Sequence, residues 1–217
     1  MNKNAVIVTG GTIYEEFALQ ELKKTENKYV IGVDRGVLFL YKHHIMPDYI
    51  VGDFDSLSEE IVTYFREKTN VPIREFNPVK DYSDTEIAVR LAIEKGCKSI
   101  KLLGATGTRL DHVMANIQVL IIPHKEGIYA EIVDPHNKIC LIEREKEIKK
   151  SEMYGKYFSV FPFDGCVEHF SIEGAAYPLN DHILTPYNSL CVSNQAKEET
   201  VKITFPEGIV ILMETRE

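Results

Sequence analysis

Through residues 1–123, short apolar runs alternate with longer stretches whose apolar positions recur at helical spacing. The runs at 5–9, 29–33, 49–51, 73–76 and 99–103 predict strands, with helical patterns between them. An open, mostly parallel sheet flanked by helices on both faces requires this alternation. Two of the helices carry boundary signals. Ser83-Asp84-Thr85-Glu86 has the form of a capping box, Ile87, Leu91 and the alanines supply an apolar face, and Gly96 stands where a C-terminal cap belongs. From Leu110, the positions Val113, Met114, Ile117, Leu120 and Ile121 predict a second helix packed against the sheet.

Beyond Pro123 the rhythm changes to strand-length runs at 138–143, 157–161, 167–172, 190–193, 201–205 and 209–213, with Pro, Gly, Asn and Asp between them. Repeated short strands of this kind predict an antiparallel sandwich. Phe205-Pro206-Glu207-Gly208-Ile209 reads as a hairpin, and the charge-mixed run 143–150 as a solvated connector. The predicted architecture is therefore an α/β N-terminal domain over 1–123, with a mostly parallel sheet and flanking helices, followed by a C-terminal antiparallel β-sandwich over 128–217.

Composition narrows the function without naming it. A chain of 217 residues with 44% hydrophobic content can bury a sizeable core. The apolar run within residues 1–9 is too brief for a secretory leader, and no stretch reaches the roughly 18 apolar residues of a membrane span, so a cytoplasmic location away from membranes is expected. The cysteines Cys97, Cys140, Cys166 and Cys191 form no C-x-x-C pair and read as buried, reduced packing residues. A net charge of -8 opposes affinity for a phosphate polymer, which argues against a nucleic-acid partner.

Candidate chemistry lies just after the strands, because an open parallel sheet binds ligands beyond the carboxyl ends of its strands. Those segments are Gly10-Gly11-Thr12, Asp34-Arg35-Gly36, Gly52-Asp53-Phe54-Asp55-Ser56, Asn77-Pro78-Val79-Lys80-Asp81-Tyr82-Ser83-Asp84 and Gly104-Ala105-Thr106-Gly107-Thr108-Arg109-Leu110-Asp111-His112. They bring Asp34, Asp53, Asp55, Asp81 and Asp84 to one rim. Two like charges about 4 Å apart repel by roughly 4 kcal/mol at an effective dielectric near 20, and a divalent cation removes that cost. Ligands that are all oxygen favour magnesium or manganese over zinc. Asp53 and Asp55, two apart in an extended segment, would project the same way. The same acids also fit an Asx turn, and Asp84 fits a first helical turn stabilised by the helix dipole. The passage from strand through glycines into a helix at 104–112 suits phosphate, with Arg109 offering forked donors. Asp111 either orients Arg109 or caps the helix, and His112 is a structural histidine more often than a general base. Neither G-x-x-x-x-G-K-[ST] nor G-x-G-x-x-G occurs.

Taken as an ordered set, Gly32-Val33-Asp34-Arg35-Gly36, Pro47-Asp48-Tyr49-Ile50-Val51-Gly52-Asp53-Phe54-Asp55-Ser56, Lys80-Asp81-Tyr82-Ser83-Asp84-Thr85-Glu86 and the segment 104–112 resemble the thiamine pyrophosphokinases. Gly174-Ala175-Ala176-Tyr177-Pro178-Leu179 with Ser193 and Asn194 resembles that family's thiamine-binding sandwich more loosely. The resemblance implies transfer of diphosphate from ATP to the hydroxyethyl group of thiamine, with AMP leaving. It implies that Asp53, Asp55, Asp81 and Asp84 are the catalytic, magnesium-holding acids. ATP would fall to Gly10, Gly11, Asp34, Arg35, Thr106, Gly107, Arg109, Asp111 and His112, and thiamine to Tyr177, Ser193 and Asn194. It further implies a homodimer whose active site is shared between subunits. Two departures stand out: Thr108 where relatives often have glycine, and tyrosine rather than tryptophan at 177. The same acids would also serve a metal-dependent nucleotide phosphohydrolase, or a non-catalytic nucleotide or thiamine sensor.

Overall fold

Among the described residues, six strands form the sheet of the N-terminal unit: β1 (Lys3–Val8), β2 (Lys28–Val33), β3 (Tyr49–Gly52), β4 (Ile73–Glu75), β5 (Cys97–Leu103) and β6 (Tyr129–Val133). The computed structural model describes residues 3–52, 57–75 and 82–217. The expectations that fall on Asp53, Asp55, Asp81 and the end of the fourth predicted strand lie outside the described residues. The chain divides into two compact units, Met1–Pro135 and His136–Glu217.

In the first unit the order is β6-β5-β1-β2-β3-β4, and every neighbouring pair is parallel. Successive residues Ala5, Val6, Ile7 and Val8 are all buried. Side chains alternate across a strand, so both faces of β1 must be covered. One face packs Val6, Val8, Val30 and Leu103 against Ala18 and Leu22 of α1 (Glu15–Lys24) and Phe39 and Leu40 of α2 (Arg35–Lys42). Farther along the sheet, Val37 and Ile50 meet Ile61 and Phe65 of α3 (Glu59–Lys68). Each such side chain contributes about 1.5–3 kcal/mol when fully buried.

The predicted helix boundaries hold at α4 (Asp84–Glu94). The Ser83 hydroxyl accepts the Glu86 N–H at 3.2 Å, and Gly96 takes φ +73 just past the helix end. The Glu86 carboxylate turns to Arg90 at 2.8 Å instead of closing a reciprocal box. The next helical pattern differs from expectation. It divides into α5 (Leu110–Val119) and α6 (Ile121–Lys125), and Met114 is exposed with Leu110, because the buried face runs through Asn116, Ile117 and Val119. Residues 129–133, expected on the sandwich side, add a sixth parallel strand beside β5.

The second unit contains β7 (Asn137–Lys149), β8 (Tyr157–Pro162), β9 (Val167–Glu173), β10 (Leu179–Leu184) and β11 (Thr200–Thr215). β11 pairs antiparallel with β7 along its length, while its other edge meets β9 at 202–204 and β8 at 210–215. One core draws on all five strands, including Ile142, Phe158, Phe170, Leu184, Ile203 and Leu212. The expected hairpin at 205–209 is a bulge. The chain continues through Pro206 and Gly208 as one long strand, and Arg144 on β7 bends with it at φ 67. Proline and glycine serve a bulge as readily as a turn, and sequence does not distinguish the two. The run 143–150 likewise belongs to β7 down to Lys149, its backbone satisfied by the β11 ladder while its charges face solvent. No strand forms at 190–193, which turn and bend before isolated bridges at Asn194 and Ala196, and β10 lacked a clear apolar run. Three cysteines are buried as expected, but Cys166 is exposed in a turn.

Glu21 of α1 is tied to the sheet by Lys101 at 2.6 Å, and Lys101 also reaches Glu131 at 3.4 Å. Burial pushes the Glu21 carboxyl up, but Lys101 and Lys24 together outweigh it and hold the group below its ordinary 4.5. A carboxyl depressed in the folded state stabilises the fold above its unfolded value and loses that contribution as pH falls through the folded value. We expect Glu21→Gln to lower stability at neutral pH by about 1–3 kcal/mol. The penalty should vanish progressively below pH 4.5, as read by thermal melts across pH.

Candidate active site

The strand order reverses at β1: the chain proceeds outward through β2, β3 and β4, then returns to β1's other side with β5 and β6. The resulting switch point lies beyond the carboxyl ends of β1 and β5, where open α/β sheets bind ligands. There the two following loops are laced together through their backbones. Thr9 N–H donates to Leu103 O, Gly11 N–H to Gly104 O and Thr12 N–H to Thr106 O, each at 2.8 Å. Position 11 tolerates no side chain, because a Cβ would stand 2.3 Å from Gly104 O and 2.4 Å from Thr106 O. The loop after β2 closes in from the other side. A Cβ on Gly36 would lie 2.0 Å from Val8 O, and one on Gly10 3.5 Å from Asp34 Cβ. Gly107 rests against Thr12. Gly10, Gly11, Asp34, Arg35, Thr106 and Gly107 are thus brought together.

Asp34 occupies φ 46, ψ -123 at the start of α2, a conformation an L-residue adopts at a cost of roughly 1–3 kcal/mol. The surroundings hold it there: its N–H donates to Val51 O at 3.3 Å and its carbonyl accepts the Val37 N–H at 3.0 Å. Its carboxylate lies over Gly52, where a Cβ would come within 2.6 Å of Oδ1. Gly52 directly precedes Asp53 in the chain.

Two supporting residues escaped the sequence reading. Asp134 is buried and accepts a 2.7 Å hydrogen bond from the Thr106 hydroxyl, and buried Asn116 donates to Ala105 O at 2.7 Å. Both fix the loop after β5. Asp134 directly follows β6, so the strand-end rule would have found it had 129–133 been assigned to the parallel sheet. Asn116 is a polar break in the apolar face of α5.

Arg109 presents its fork to Asp111, with Nη2 at 2.6 Å and Nε at 3.3 Å. That guanidinium beside Asp111 holds its carboxyl at about 2. Asp111 also accepts the His112 N–H, and the three residues stand exposed at the start of α5. Asp84 is the first residue of α4. Among the described residues, no group of three or more His, Cys, Asp or Glu is placed to hold a metal ion. Asp53, Asp55 and Asp81, expected in the cation site, lie outside the described residues.

In the second unit, Tyr177 is 68% exposed, whereas Asn194 is 3% exposed. Asn194 accepts the Tyr177 N–H at 3.1 Å and donates to Tyr177 O at 2.8 Å. Ser193, exposed at φ 58, is held by its N–H to the Ser159 hydroxyl at 3.0 Å.

Comparison with known proteins agrees with both units. Residues 20–132 match the family model described as "Thiamin pyrophosphokinase, catalytic domain", and residues 145–210 match "Thiamin pyrophosphokinase, vitamin B1 binding domain". The thiamine pyrophosphokinase of Bacillus subtilis is 33% identical over 189 residues, covering 87% of each chain. The crystal structure of a thiamine pyrophosphokinase from Bacillus subtilis superposes with a TM-score of 0.87 at 30% identity, covering 99% of both chains. That from Geobacillus thermodenitrificans gives 0.83 at 28% identity, covering 98% of this chain and 97% of that one. These similarities give no support to the phosphohydrolase or sensor readings.

Gly11→Ala forces two carbonyl oxygens apart, so the loops must separate. We expect a loss of at least about 1–3 kcal/mol in chemical denaturation, the range for overpacking a tight site. Amide exchange at Gly11 and Thr12 should be faster than in the wild-type protein.

Proposed function

Because the chain belongs to the thiamine pyrophosphokinase family, we propose that its laced strand-end loops receive the phosphates of ATP and that Tyr177 receives thiamine. The observation that carries this reading is the convergence of the loops after β1, β2 and β5 at the switch point of the sheet. Backbone groups and short side chains are held there with little freedom, and phosphoryl transfer depends chiefly on positioning and charge neutralisation. Thr106 and Gly107 approach the phosphates from one side, Gly10 and Gly11 from beneath, and Asp34 and Arg35 from the other side. Arg109, aligned by Asp111 and followed by His112, contributes cationic donors at the mouth of the site.

Magnesium is the hard cation that suits an all-oxygen donor set, and Asp53, Asp55, Asp81 and Asp84 are the residues proposed to hold it. When bound, it supplies charge neutralisation of the phosphates. The hydroxyethyl oxygen of thiamine attacks the β-phosphorus. A bond forms between them, the bond from that phosphorus to the oxygen bridging the α-phosphate breaks, and AMP departs with the electron pair. Asp81 or Asp84 takes the hydroxyl proton. The ring of Tyr177 lies against the thiamine, whose thiazolium is cationic, with Ser193 beside it and Asn194 bonded to the Tyr177 backbone. Exposed Tyr177, Ile183, Tyr187, Leu190 and Val192 form apolar surface on the second unit that supports a homodimer with a shared site. No helix among the described residues is long and apolar enough to cross a membrane, in keeping with a proposed cytoplasmic location.

Incubation with magnesium, ATP and thiamine followed by chromatography tests the reaction: AMP with thiamine diphosphate is expected. ADP with thiamine monophosphate, or phosphate released without thiamine, would refute it. Asp53→Asn and Asp55→Asn keep shape and remove charge. Each should lower kcat by two or more orders of magnitude, on the order of 3 kcal/mol in the barrier, with an unchanged melting temperature. Near-normal turnover in both variants would remove them from the site.

A further inference from the structure

We infer that Asn194 serves thiamine through Tyr177, by clamping the backbone of that residue, and does not contact the substrate itself. The inference rests on the proposed thiamine role of Tyr177. Asn194 is buried, and both acceptor positions and one of the two donors of its carboxamide are committed within the protein. Oδ1 accepts the Tyr177 N–H at 3.1 Å and the Gln195 N–H at 2.9 Å, and Nδ2 donates to Tyr177 O at 2.8 Å. A carboxamide oxygen has two lone pairs, so both are occupied.

The pattern of bonds gives the reason. Donating to and accepting from the same residue is what a strand neighbour does in an antiparallel ladder. Ala176 N–H reaches Gln195 O at 2.8 Å, and Ala175 bridges Ala196, so the segment before Tyr177 already has a backbone partner. At Tyr177 the side chain of Asn194 takes over that partnership. Asn194 is itself fixed by two 2.9 Å backbone bonds with Phe158 of β8, a fully buried residue. A rigid line thus runs from the sandwich core through Phe158 and Asn194 to the backbone of Tyr177, whose ring projects into solvent. An exposed aromatic ring has few packing contacts of its own to orient it, and fixing its backbone lowers the ordering cost of stacking on a ligand. Asn194 is a positioning residue, and Ser193, exposed next to it, is left as the direct polar contact of the pair.

Asn194→Asp is isosteric. It keeps both acceptor bonds and replaces the donor to Tyr177 O with an oxygen. We expect KM for thiamine to rise about tenfold, the loss of roughly one hydrogen bond. The kcat at saturating thiamine and KM for ATP should stay within about twofold. In a Tyr177→Ala background the same substitution should change KM for thiamine by less than about twofold, since coupled residues are non-additive. An equal rise in both backgrounds would mean direct contact and overturn the inference. So would a fall in melting temperature with KM for thiamine unchanged, the signature of a purely structural role. If Tyr177→Ala alone leaves KM for thiamine unaltered, the stacking role fails and takes the inference with it. That outcome is distinct from additivity, where the stacking role survives. A second measurement does not depend on altering Asn194. The Tyr177 N–H, bonded to Asn194, should exchange its hydrogen with solvent slowly in the wild-type protein before thiamine is added, and exchange as fast as that of an unstructured peptide would overturn the clamp.

Discussion

The backbone lacing between the loops after β1 and β5 is the constraint on which the proposed ATP site depends. Three N–H to carbonyl bonds carry the parallel register of β1 and β5 past the end of the sheet. They exist only because position 11 has no side chain to hold the carbonyls of Gly104 and Thr106 away. Strand ends are ordinarily where a sheet frays, and a fraying loop could not hold a phosphate in one place. Here the loops inherit the rigidity of two central strands whose ends next to those loops, Ala5 to Val8 and Leu102 to Leu103, are buried. Side-chain bonds from Thr106 to Asp134 at the end of β6 and from Asn116 of α5 to Ala105 tie the floor to two further pieces of structure. Preorganisation of this kind lets a site stabilise charge without reorganising at the moment of reaction.

The cost of that arrangement is visible at Asp34. Its backbone sits where few non-glycine residues go, and its carboxylate is pressed over Gly52. An aspartate held in such a conformation beside a glycine that could not be anything larger is hard to account for by packing alone. Burial along β1 and β2 supplies the free energy that offsets the strain. The direction of inference runs from the observed outlier to function, and Asp34 is the described acid that most clearly belongs to the site.

Much of this was legible in the sequence because local rules and the global fold agree. The first five strands, the Ser83 cap and the Gly96 terminus follow from apolar runs and turn residues, and the strand-end rule then located the loops. Where reading failed, one local signal served two structures. Pro206 and Gly208 fit a turn and a bulge equally, and only the partner strand, bending at Arg144, decides between them. The charges at 143–150 suggested a connector because no periodicity shows that a strand's backbone is paired when its side chains face water. The sixth parallel strand was missed because Tyr129 and Glu131 interrupt its apolar run, and Asp134 was lost with it. Met114 shows the opposite error: helical spacing was read as burial where the helix turns that side chain outward.

Both departures from the family pattern become intelligible once backbone and side-chain contributions are separated. Thr108 is exposed and lies beyond Thr106, the last residue of the lacing, so a side chain there does not disturb the floor. Tyr177 is oriented through its own N–H and C=O, bonds that any residue but proline would make, and the ring that extends from that point is unconstrained by the core. Tyrosine can therefore replace tryptophan without resetting the backbone at that position. Loops held through their backbones leave exposed side chains free to vary, whereas the glycines at 11, 36 and 52 and the amide at 194 have no such latitude.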